Sequence, residues 1–444
     1  MARDWQSAPQ GDHFDLLKRI IKSASFILYH SSMRHPRRQV ILVGFAFACI
    51  LVLTARQLSW SRNSYPQTAR LDANQDANSI FYNVSTAFNF THYGSRSPYA
   101  PQPSFIPGIP KPPGSTYNKT LVVPRTTKED TSWINKELPD WNTAVYVVDD
   151  PGAPFHPPKN KGHEVMVYLS YIIDFYDELP DVAVFMHSHQ KAWHNEDFFD
   201  GDAAEILRRL SLERVIREGY MNTRCAFGPG CPAWIHPGAA VEDESKQEEV
   251  IIARAWGELF PDLPVPPVLS QPCCAQFALS RDRIRTIPRA RFIFYRDWLL
   301  QTDLSDYITG RIWEYLWQFV FTGQPVLCVE ESVCLCDGYG FCFGGPEKYR
   351  DWRNLDAERE DLQRQLDDWI FMAGDLEVAK AEGFLDELES LDLLPLADEA
   401  ELEAKLAEKT NLVMDLLDAA IERGQIPRNR ALEAGRPWKE GDGF

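Results

Sequence analysis

Apolar and polar positions recur along the chain in a pattern that predicts an α/β fold. Three short runs with the β-branched content of strands begin at Thr120, Ala144 and Val182. Between the second and the third run, residues 164–176 carry apolar side chains at helical spacing. A strand, a helix and a strand in this order are typical of a βαβ unit. We therefore expect a mainly parallel sheet flanked by helices.

Three more segments further along the chain show helical periodicity. They lie at residues 203–217, 248–260 and 307–321, and the last of them is rich in aromatic side chains and ends before Gly323. Together with the strands, these segments place an α/β domain at residues 120–352, which is long enough to bury an apolar core.

An acidic, helix-forming tail follows at residues 353–444. Between residues 351 and 424 there are 22 Asp and Glu against 7 Lys and Arg, so this stretch carries −15 of the net charge of −18. The rest of the chain is close to neutral, which excludes the broad basic field of a nucleic-acid-binding protein. We interpret the tail as a solvated helical extension, and the alternative is an acidic docking surface for a protein partner. Its helices are expected to break at three residues, Gly374, Gly383 and Pro395.

One uncharged, almost wholly apolar run precedes the domain, at residues 40–55. As a helix it is about 24 Å long, somewhat less than the roughly 30 Å of a hydrocarbon core. We therefore predict a short transmembrane helix at residues 39–56, suited to a thin endomembrane bilayer. A cleaved signal peptide is the alternative, but the N-terminal flank is long for one and Arg56 makes a poor cleavage site.

The flanks of this segment predict its orientation. Residues 1–38 hold seven Lys and Arg, and three follow closely after the span, so the positive-inside rule places residues 1–38 in the cytosol. Residues 57–119 are rich in proline and predict an extended, glycosylated stem. We expect a single-pass type II membrane protein of the endomembrane system, in the Golgi. Three glycosylation sequons support a lumenal stem, at Asn83, Asn89 and Asn118.

Cysteine usage agrees with a lumenal domain. Cys49 lies in the span, and an even number of eight cysteines remains, which favours disulfide bonds over a zinc cluster because the CxxC pairs of zinc sites are missing. Cys225 and Cys231 are close enough in sequence to close a small loop. Adjacent cysteines at 273 and 274, and the pair at 334 and 336, are not expected to bond internally. We expect the remaining cysteine-rich segment, residues 328–342, to be a loop with little core of its own.

A histidine cluster is the strongest candidate for chemistry. His187 and His189 directly follow a strand pattern, and Trp193 and His194 lie just beyond. Because side chains alternate along a strand, His187 and His189 would share a face at the strand's carboxyl end, where α/β proteins bind ligands. They are candidates for acid–base catalysis, for holding a phosphate group, or for binding a divalent metal, which is the cofactor we expect if there is one. Hydrogen bonds to loop backbone are the purely structural alternative.

Three weaker features accompany the cluster. Asp149 and Asp150 at a strand end are candidate metal ligands, although a turn is the favoured interpretation. Asn160 and Lys161 open the predicted helix and could bind a diphosphate, or simply cap the helix. Arg281 begins a basic segment that is either a phosphate site or a solvated loop.

Six short strings together resemble a family of unknown function found in fungi, domain of unknown function 3431. They are DTSW at 130–133, VVDDP at 147–151, NKGHE at 160–164, LPDVAVFMH at 179–187, WHN at 193–195 and QFALSR at 276–281. The resemblance covers residues 122–352. By analogy it implies a signal-anchored protein with an α/β domain like that of type A glycosyltransferases. Such enzymes place Asp-x-Asp after a strand to hold a metal and a diphosphate, and here His187-Ser-His189 stands in that place.

Two functions remain open. The first is a lumenal glycosyltransferase-like enzyme with a nucleotide-sugar donor and a glycan acceptor, using His187 or His189 and a base for which Asp297 and Glu314 are candidates. The second is a non-catalytic module that binds glycan or protein and uses as stacking surfaces Trp193, Trp234, Trp313 and Trp317, of which the last two have the i, i+4 spacing of core residues. A metal-dependent hydrolase is weaker because no water-activating set is evident. Motifs of serine hydrolases, P-loop NTPases and dinucleotide enzymes do not occur in the sequence.

Overall fold

The computed structural model describes residues 105–381 and 399–444. Within these ranges no helix combines the length and the apolar character that a membrane crossing needs. The predicted span at residues 39–56 lies outside the described residues, as do Asn83, Asn89, Gly383 and Pro395.

The described residues form an α/β fold around a five-stranded sheet with the order β2-β1-β3-β5-β4. Strand β1 pairs in parallel with β2 and β3, whereas β5 pairs antiparallel with β3 and β4. The sheet is therefore mixed, not mainly parallel, because two strands too short to stand out in the sequence complete it. The strands are β1 (Lys119–Arg125), β2 (Asn142–Val147), β3 (Val182–Phe185), β4 (Tyr220–Asn222) and β5 (Phe277–Ser280).

Helices cover both faces of this sheet and continue to the C-terminus. The helices are α1 (Ser132–Glu137), α2 (Val165–Asp174), α3 (Ala203–Arg209), α4 (Leu212–Glu218), α5 (Ile252–Leu259), α6 (Arg281–Arg285), α7 (Arg289–Gln301), α8 (Asp306–Glu314), α9 (Trp317–Thr322), α10 (Glu331–Tyr339), α11 (Pro346–Ala381), α12 (Glu399–Gly424) and α13 (Pro427–Glu433).

Two of the predicted helices are each divided in two. The segment 203–217 becomes α3 and α4 because Ser211 caps the second helix, its Oγ accepting from the Arg214 amide at 3.2 Å. The segment 307–321 becomes α8 and α9, which are separated by Tyr315 and Leu316.

Alternate strand residues enter two apolar cores, one on each face of the sheet. Val122 packs in the first core with Tyr168, Phe185 and Phe277. Leu121 and its alternates pack in the second core, together with residues of α10. This alternation is the period-two pattern of a strand buried on both faces.

The C-terminal helices complete the second core. Trp352 of α11 donates through Nε1 to the carbonyl oxygen of Val413 in α12 at 3.1 Å, and both side chains are buried in that core. Helix α11 runs through Gly374 without a break, so the predicted interruption there is wrong. A single glycine costs a long helix only about 1 kcal/mol, and its neighbours sustain the hydrogen-bonded ladder.

The eight described cysteines form four disulfide bonds, which confirms the disulfide prediction but not its details. The predicted bond between Cys225 and Cys231 is wrong, because each of these cysteines bonds instead to a cysteine in the segment around α10. The adjacent pair does bond, in a chain that takes positive φ at Cys274 (84°) and Ala275 (50°). The cysteine-rich segment is also not a loop, since α10 occupies most of it. The pairs are Cys225–Cys334, Cys231–Cys328, Cys273–Cys274 and Cys336–Cys342.

Candidate functional site

The histidine cluster lies at the point of the sheet from which the chain connections go to opposite sides. From β1 the chain crosses to β2 on one side, and from β3 it moves to the strands on the other side. The crevice between the carboxyl ends of two such strands is the usual ligand site of an α/β sheet. In this protein Glu129 follows β1, and His187, Ser188 and His189 follow β3.

The two loops contact each other through polar side chains. Glu129 Oε1 accepts a hydrogen bond from Ser188 Oγ at 2.9 Å and lies 3.6 Å from Nε2 of His189. Trp133, at the start of α1, donates through Nε1 to the Ser188 carbonyl at 2.8 Å. An exposed imidazole therefore stands beside a carboxylate that is itself fixed by a hydroxyl group.

Gln276 holds the base of the histidine loop, and the sequence did not single it out. Its Oε1 accepts from the His187 amide at 3.0 Å, and its Nε2 donates at 3.0 Å to both the His194 carbonyl and Asn195 Oδ1. Gln276 immediately precedes β5. Because β5 is antiparallel to β3, its first residues meet the last residues of β3. The sequence does not indicate the direction of β5, so it does not predict this position of Gln276.

A buried set of titratable groups lies beneath the loop. The His187 and His194 rings are 4.4 Å apart between centroids, and His187 Nε2 lies 3.9 Å from Oε2 of Glu164. Solvent reaches 24% of the His187 side chain and 12% of Glu164. Nε2 of His187 and Nε2 of His194 make no hydrogen bond to any described residue. These atoms can accept or donate when a ligand enters.

Burial sets the protonation of these groups. It raises the pKa of Glu164 to about 8, and the nearby carboxylates of Glu314 and Asp306 add to the effect. Burial, reinforced by His194, lowers the pKa of His187 well below its usual range. The pKa of His194 falls to about 4, for the same reason and because of His189. Near pH 7 the site therefore holds a protonated carboxyl group beside two neutral imidazoles.

The rim of the site is open to solvent. The side chain of His189 is 57% exposed and Trp193 is 65% exposed. Arg224 fixes this rim from below, donating through Nη1 to the carbonyl oxygens of Trp193 at 3.1 Å and Asn195 at 2.6 Å. A flat aromatic ring beside imidazoles suits the face of a sugar or a base.

The groups at the start of α2, where the sequence predicts a diphosphate site, contact other parts of the chain. The amides of Gly162 and His163 donate to Oδ1 of Asp306, so a carboxylate of the chain itself occupies that position. Lys161 donates through Nζ to the Leu304 carbonyl at 2.6 Å, and Asn160 is exposed. The anion that the amides of Gly162 and His163 bind is therefore part of the chain itself. Asp306 is 144 residues from Gly162, so the sequence alone does not predict this contact.

Arg281 lies near the start of β3, whereas the histidines follow the end of that strand. Register pairs Ser280 with Val182, the first residue of β3. Arg281 Nε donates to the Leu179 carbonyl at 2.7 Å, and its Nη2 lies 3.1 Å from Asp181. A phosphate held by Arg281 would therefore be remote from His187.

The acidic pair after β2 forms a turn, the interpretation favoured from the sequence. Asp150 Oδ1 accepts from the Gly152 amide at 2.9 Å. Asp149 accepts from the amide and the hydroxyl of Thr127 at 2.8 and 2.9 Å.

Asn118, the described sequon asparagine, is exposed, and its Oδ1 accepts from Asn142.

The two candidate bases lie in different surroundings. Asp297 is half-buried on α7, which packs against α2. Glu314 ends α8, accepts from the Cys274 amide at 2.8 Å, and its charge contributes to the raised pKa of Glu164. Glu314 therefore belongs to the buried set beneath the loop, whereas the contacts that define the site do not come from α7.

The predicted metal ligands Asp149, Asp150, His187 and His189 do not converge. Within the described ranges, three or more ligand atoms lie close together at two places only, one around Glu314 and one around Glu433. At each place the other two members are cysteines joined in a disulfide bond. A thiolate ligand requires a reduced cysteine, so these sets do not fit a divalent ion in this state.

Comparison with known proteins agrees with the resemblance found in the sequence. Residues 121–337 match the family described as "Protein of unknown function (DUF3431)". The match covers the sheet, the histidine loop and the helices up to α10. No curated protein matches the chain.

Proposed function

Because residues 121–337 match a family whose function is unknown, we propose a function from the chemistry of the histidine site. The proposed activity is glycosyl transfer from a nucleotide-sugar donor to a hydroxyl group of a glycan. His189 acts as the base, and Glu129 orients it. The observation that carries the proposal is the approach of Glu129 Oε1 to His189 Nε2, 3.6 Å apart, at the sheet's reversal point.

A carboxylate beside an imidazole is a common arrangement for a general base. The carboxylate orients the ring and stabilises the imidazolium ion that forms when the base takes a proton. Here the ring is more than half exposed, so an acceptor hydroxyl can approach it. Glu129 is held in turn by Ser188 Oγ, which limits its rotation.

The step balances without a further reactant. The acceptor oxygen bonds to the anomeric carbon as the bond from that carbon to the diphosphate oxygen breaks. The electron pair leaves with the nucleoside diphosphate, and the acceptor proton passes to His189. The protonated carboxyl group of Glu164 and the neutral His187 form a polar inner wall that can donate to sugar hydroxyls.

Substrate would be held at the rim. Trp193 offers an exposed ring for stacking a sugar, and Lys191, with 61% of its side chain exposed, is a cation on the same loop. The four residues proposed from sequence to hold a divalent ion do not converge, so no step here is assigned to a metal.

We further propose that the protein is a type II membrane protein of the Golgi with its α/β domain in the lumen. The uncharged run at residues 40–55 and the sequon cluster support this topology. Four disulfide bonds support an oxidising compartment.

A non-catalytic glycan-binding module is the second candidate, and the exposure of Trp193 favours it. Trp313 and Trp317 are fully buried and belong to the first core, so they cannot serve as stacking surfaces. Such a module would bind the same glycan without consuming a nucleotide sugar.

The test is the release of nucleoside diphosphate from a panel of nucleotide sugars by purified full-length protein with glycan acceptors. We expect turnover with one donor and at least a hundredfold loss in His189→Asn and Glu129→Gln. His156→Gln changes an exposed histidine outside the site and serves as the matched control. Glycan binding without turnover would favour the binding module. Turnover that is unaffected in both site variants would overturn the assignment of the base.

A further inference from the structure

A second cavity lies along the outer edge of β4, with a volume of about 400 Å³. Residues 220–222 of this edge strand form one wall, and Val333, Cys334 and Asp337 of α10 contribute to another. Its size falls within the range of small-molecule sites. None of the histidines of the candidate site lines it.

The charge of this cavity is opposite to that of the chain. Five arginines and two carboxylates, Glu218 and Asp337, line it, which leaves an excess of three positive charges in a protein of net charge −18. Four of the five arginines are more than nine-tenths buried. The arginines are Arg214, Arg217, Arg224, Arg283 and Arg436.

Two of the five arginines, Arg224 and Arg283, form no ion pair with any described residue. Arg217 donates to both carboxylate oxygens of Asp337, and Arg436 lies 2.7 Å from Glu218. Arg214, Arg224 and Arg283 donate to backbone carbonyl oxygens, which satisfy hydrogens but carry no net charge.

Three buried guanidinium nitrogens of the lining also make no hydrogen bond to any described residue. They are Nε of Arg214, Nε of Arg217 and Nε of Arg224. The carboxylate of Asp337 is 3.8 Å from the first, and that of Glu218 is 3.5 Å from the second. A buried cation without a partner is costly, and an anion entering the cavity would remove much of that cost.

Part of the remaining lining is apolar. Met221 of β4 and three side chains from the segment around α10 are available to a hydrocarbon group. These three are Leu327, Val329 and Val333. The cavity thus combines guanidinium groups with an apolar wall.

We propose that this cavity binds a small phosphomonoester that carries an apolar group. Guanidinium forks match phosphate oxygens in pairs, and an excess of three positive charges suits a dianion. The apolar group lies against Met221 and Leu327. This site is separate from the glycosyl transfer proposed above, and it uses none of that site's catalytic residues.

Isothermal titration of full-length protein with phenyl phosphate tests the proposal, with inorganic phosphate and phenol as partial probes. We expect phenyl phosphate to bind at least tenfold more tightly than either. Arg436→Gln removes a partly exposed guanidinium of the lining and should weaken binding about tenfold. Arg254→Gln removes an exposed arginine paired with Glu258 outside the cavity and should leave binding unchanged.

Leu327→Trp fills the cavity while keeping every charge, and it should abolish binding of phenyl phosphate. Phenylglyoxal modification followed by mass mapping locates the site, since phenyl phosphate should protect Arg436 and leave Arg254 reactive. Three results would each overturn the proposal. They are equal binding of phenol and phenyl phosphate, unchanged affinity in both cavity variants, and protection confined to arginines outside the cavity.

Discussion

Nη2 of Arg217 donates to both carboxylate oxygens of Asp337, and both side chains are at least nine-tenths buried. Arg214 and Arg430 also approach the same carboxylate, at 3.8 and 4.0 Å. Three arginines of α4 and α13 thus surround the carboxylate of Asp337 in α10.

Asp337→Ala should destabilise the protein by about 3–5 kcal/mol, because it leaves these buried cations without their acid. Urea denaturation of the variant and the wild type measures the difference. Asp361→Ala removes an exposed acid paired with Arg364 and should change stability by less than about 0.5 kcal/mol. Similar values for the two variants would contradict the central role of Asp337.

Glu164 should make stability depend on pH. Its pKa in the folded protein is about 8, against 4.5 for an ordinary glutamate. The folded state therefore holds this proton more tightly than the unfolded state. Its contribution is fully present below pH 4.5 and is lost as the pH rises towards 8, at a rate of up to about 1.4 kcal/mol per pH unit.

Glu164→Gln cannot ionise, so its stability relative to the wild type should increase between pH 5 and 8. Denaturant titrations of both proteins across this range measure the trend. A constant difference between the two would show that Glu164 is ionised in the folded protein. Glu178→Gln, at an exposed position, is the control and should show no trend.

The Cys225–Cys334 bond should contribute more to stability than the Cys231–Cys328 bond. The two close loops of similar length, 109 and 97 residues, so their effects on the unfolded chain are alike. Cys225 and Cys334 are buried in or beside the second core, whereas Cys231 and Cys328 are partly exposed. Paired serine substitutions should cost about 2–5 kcal/mol each, with the larger loss for the buried pair. The reverse order would contradict the packing argument.

Trp193→Ala should affect ligand binding and not folding. The side chain is 65% exposed, so its loss should change stability by less than about 0.5 kcal/mol. If Trp193 stacks on a sugar, acceptor affinity should fall about tenfold, which corresponds to about 1.4 kcal/mol. Trp438→Ala, another exposed tryptophan, is the matched control for glycan binding assays. Unchanged affinity in Trp193→Ala would remove Trp193 from the site.

Lys161→Met should lower stability by about 1 kcal/mol and leave nucleotide binding unchanged, since its ammonium group holds the carbonyl of Leu304. Thermal unfolding with and without a nucleoside diphosphate measures both effects. A loss of nucleotide binding with unchanged stability would instead support the anion site predicted from the sequence.

The sequence predicted the elements whose patterns are long. Strands β1 to β3 and helix α2 have enough consecutive apolar residues to show their period. Strand β4 has only three residues, and β5 (FALS) lacks the β-branched residues that mark β3 (VAVF), so neither stood out as a strand. The antiparallel pairing of β5 makes the sheet mixed.

The site was predicted in part for the same reason. His187 and His189 directly follow a recognisable strand, so their position at its carboxyl end was predictable. Glu129 and Gln276 join them only through strand register and long-range contacts, which a single sequence does not contain. The internal carboxylate of Asp306 at α2 was hidden for this reason too.

The family match ends at Asp337, but the second core does not. The Cys342 amide donates to the Ala420 carbonyl at 3.0 Å, and the Gly344 amide donates to Glu433 at 2.9 Å. Gly424 meets the backbone of Gly340 so closely that no side chain fits between them. A chain cut at the end of the matched region would leave the apolar face beneath α11 and α12 in water, and we expect such a fragment to aggregate. Residues of the acidic tail therefore complete the core of the domain that precedes it.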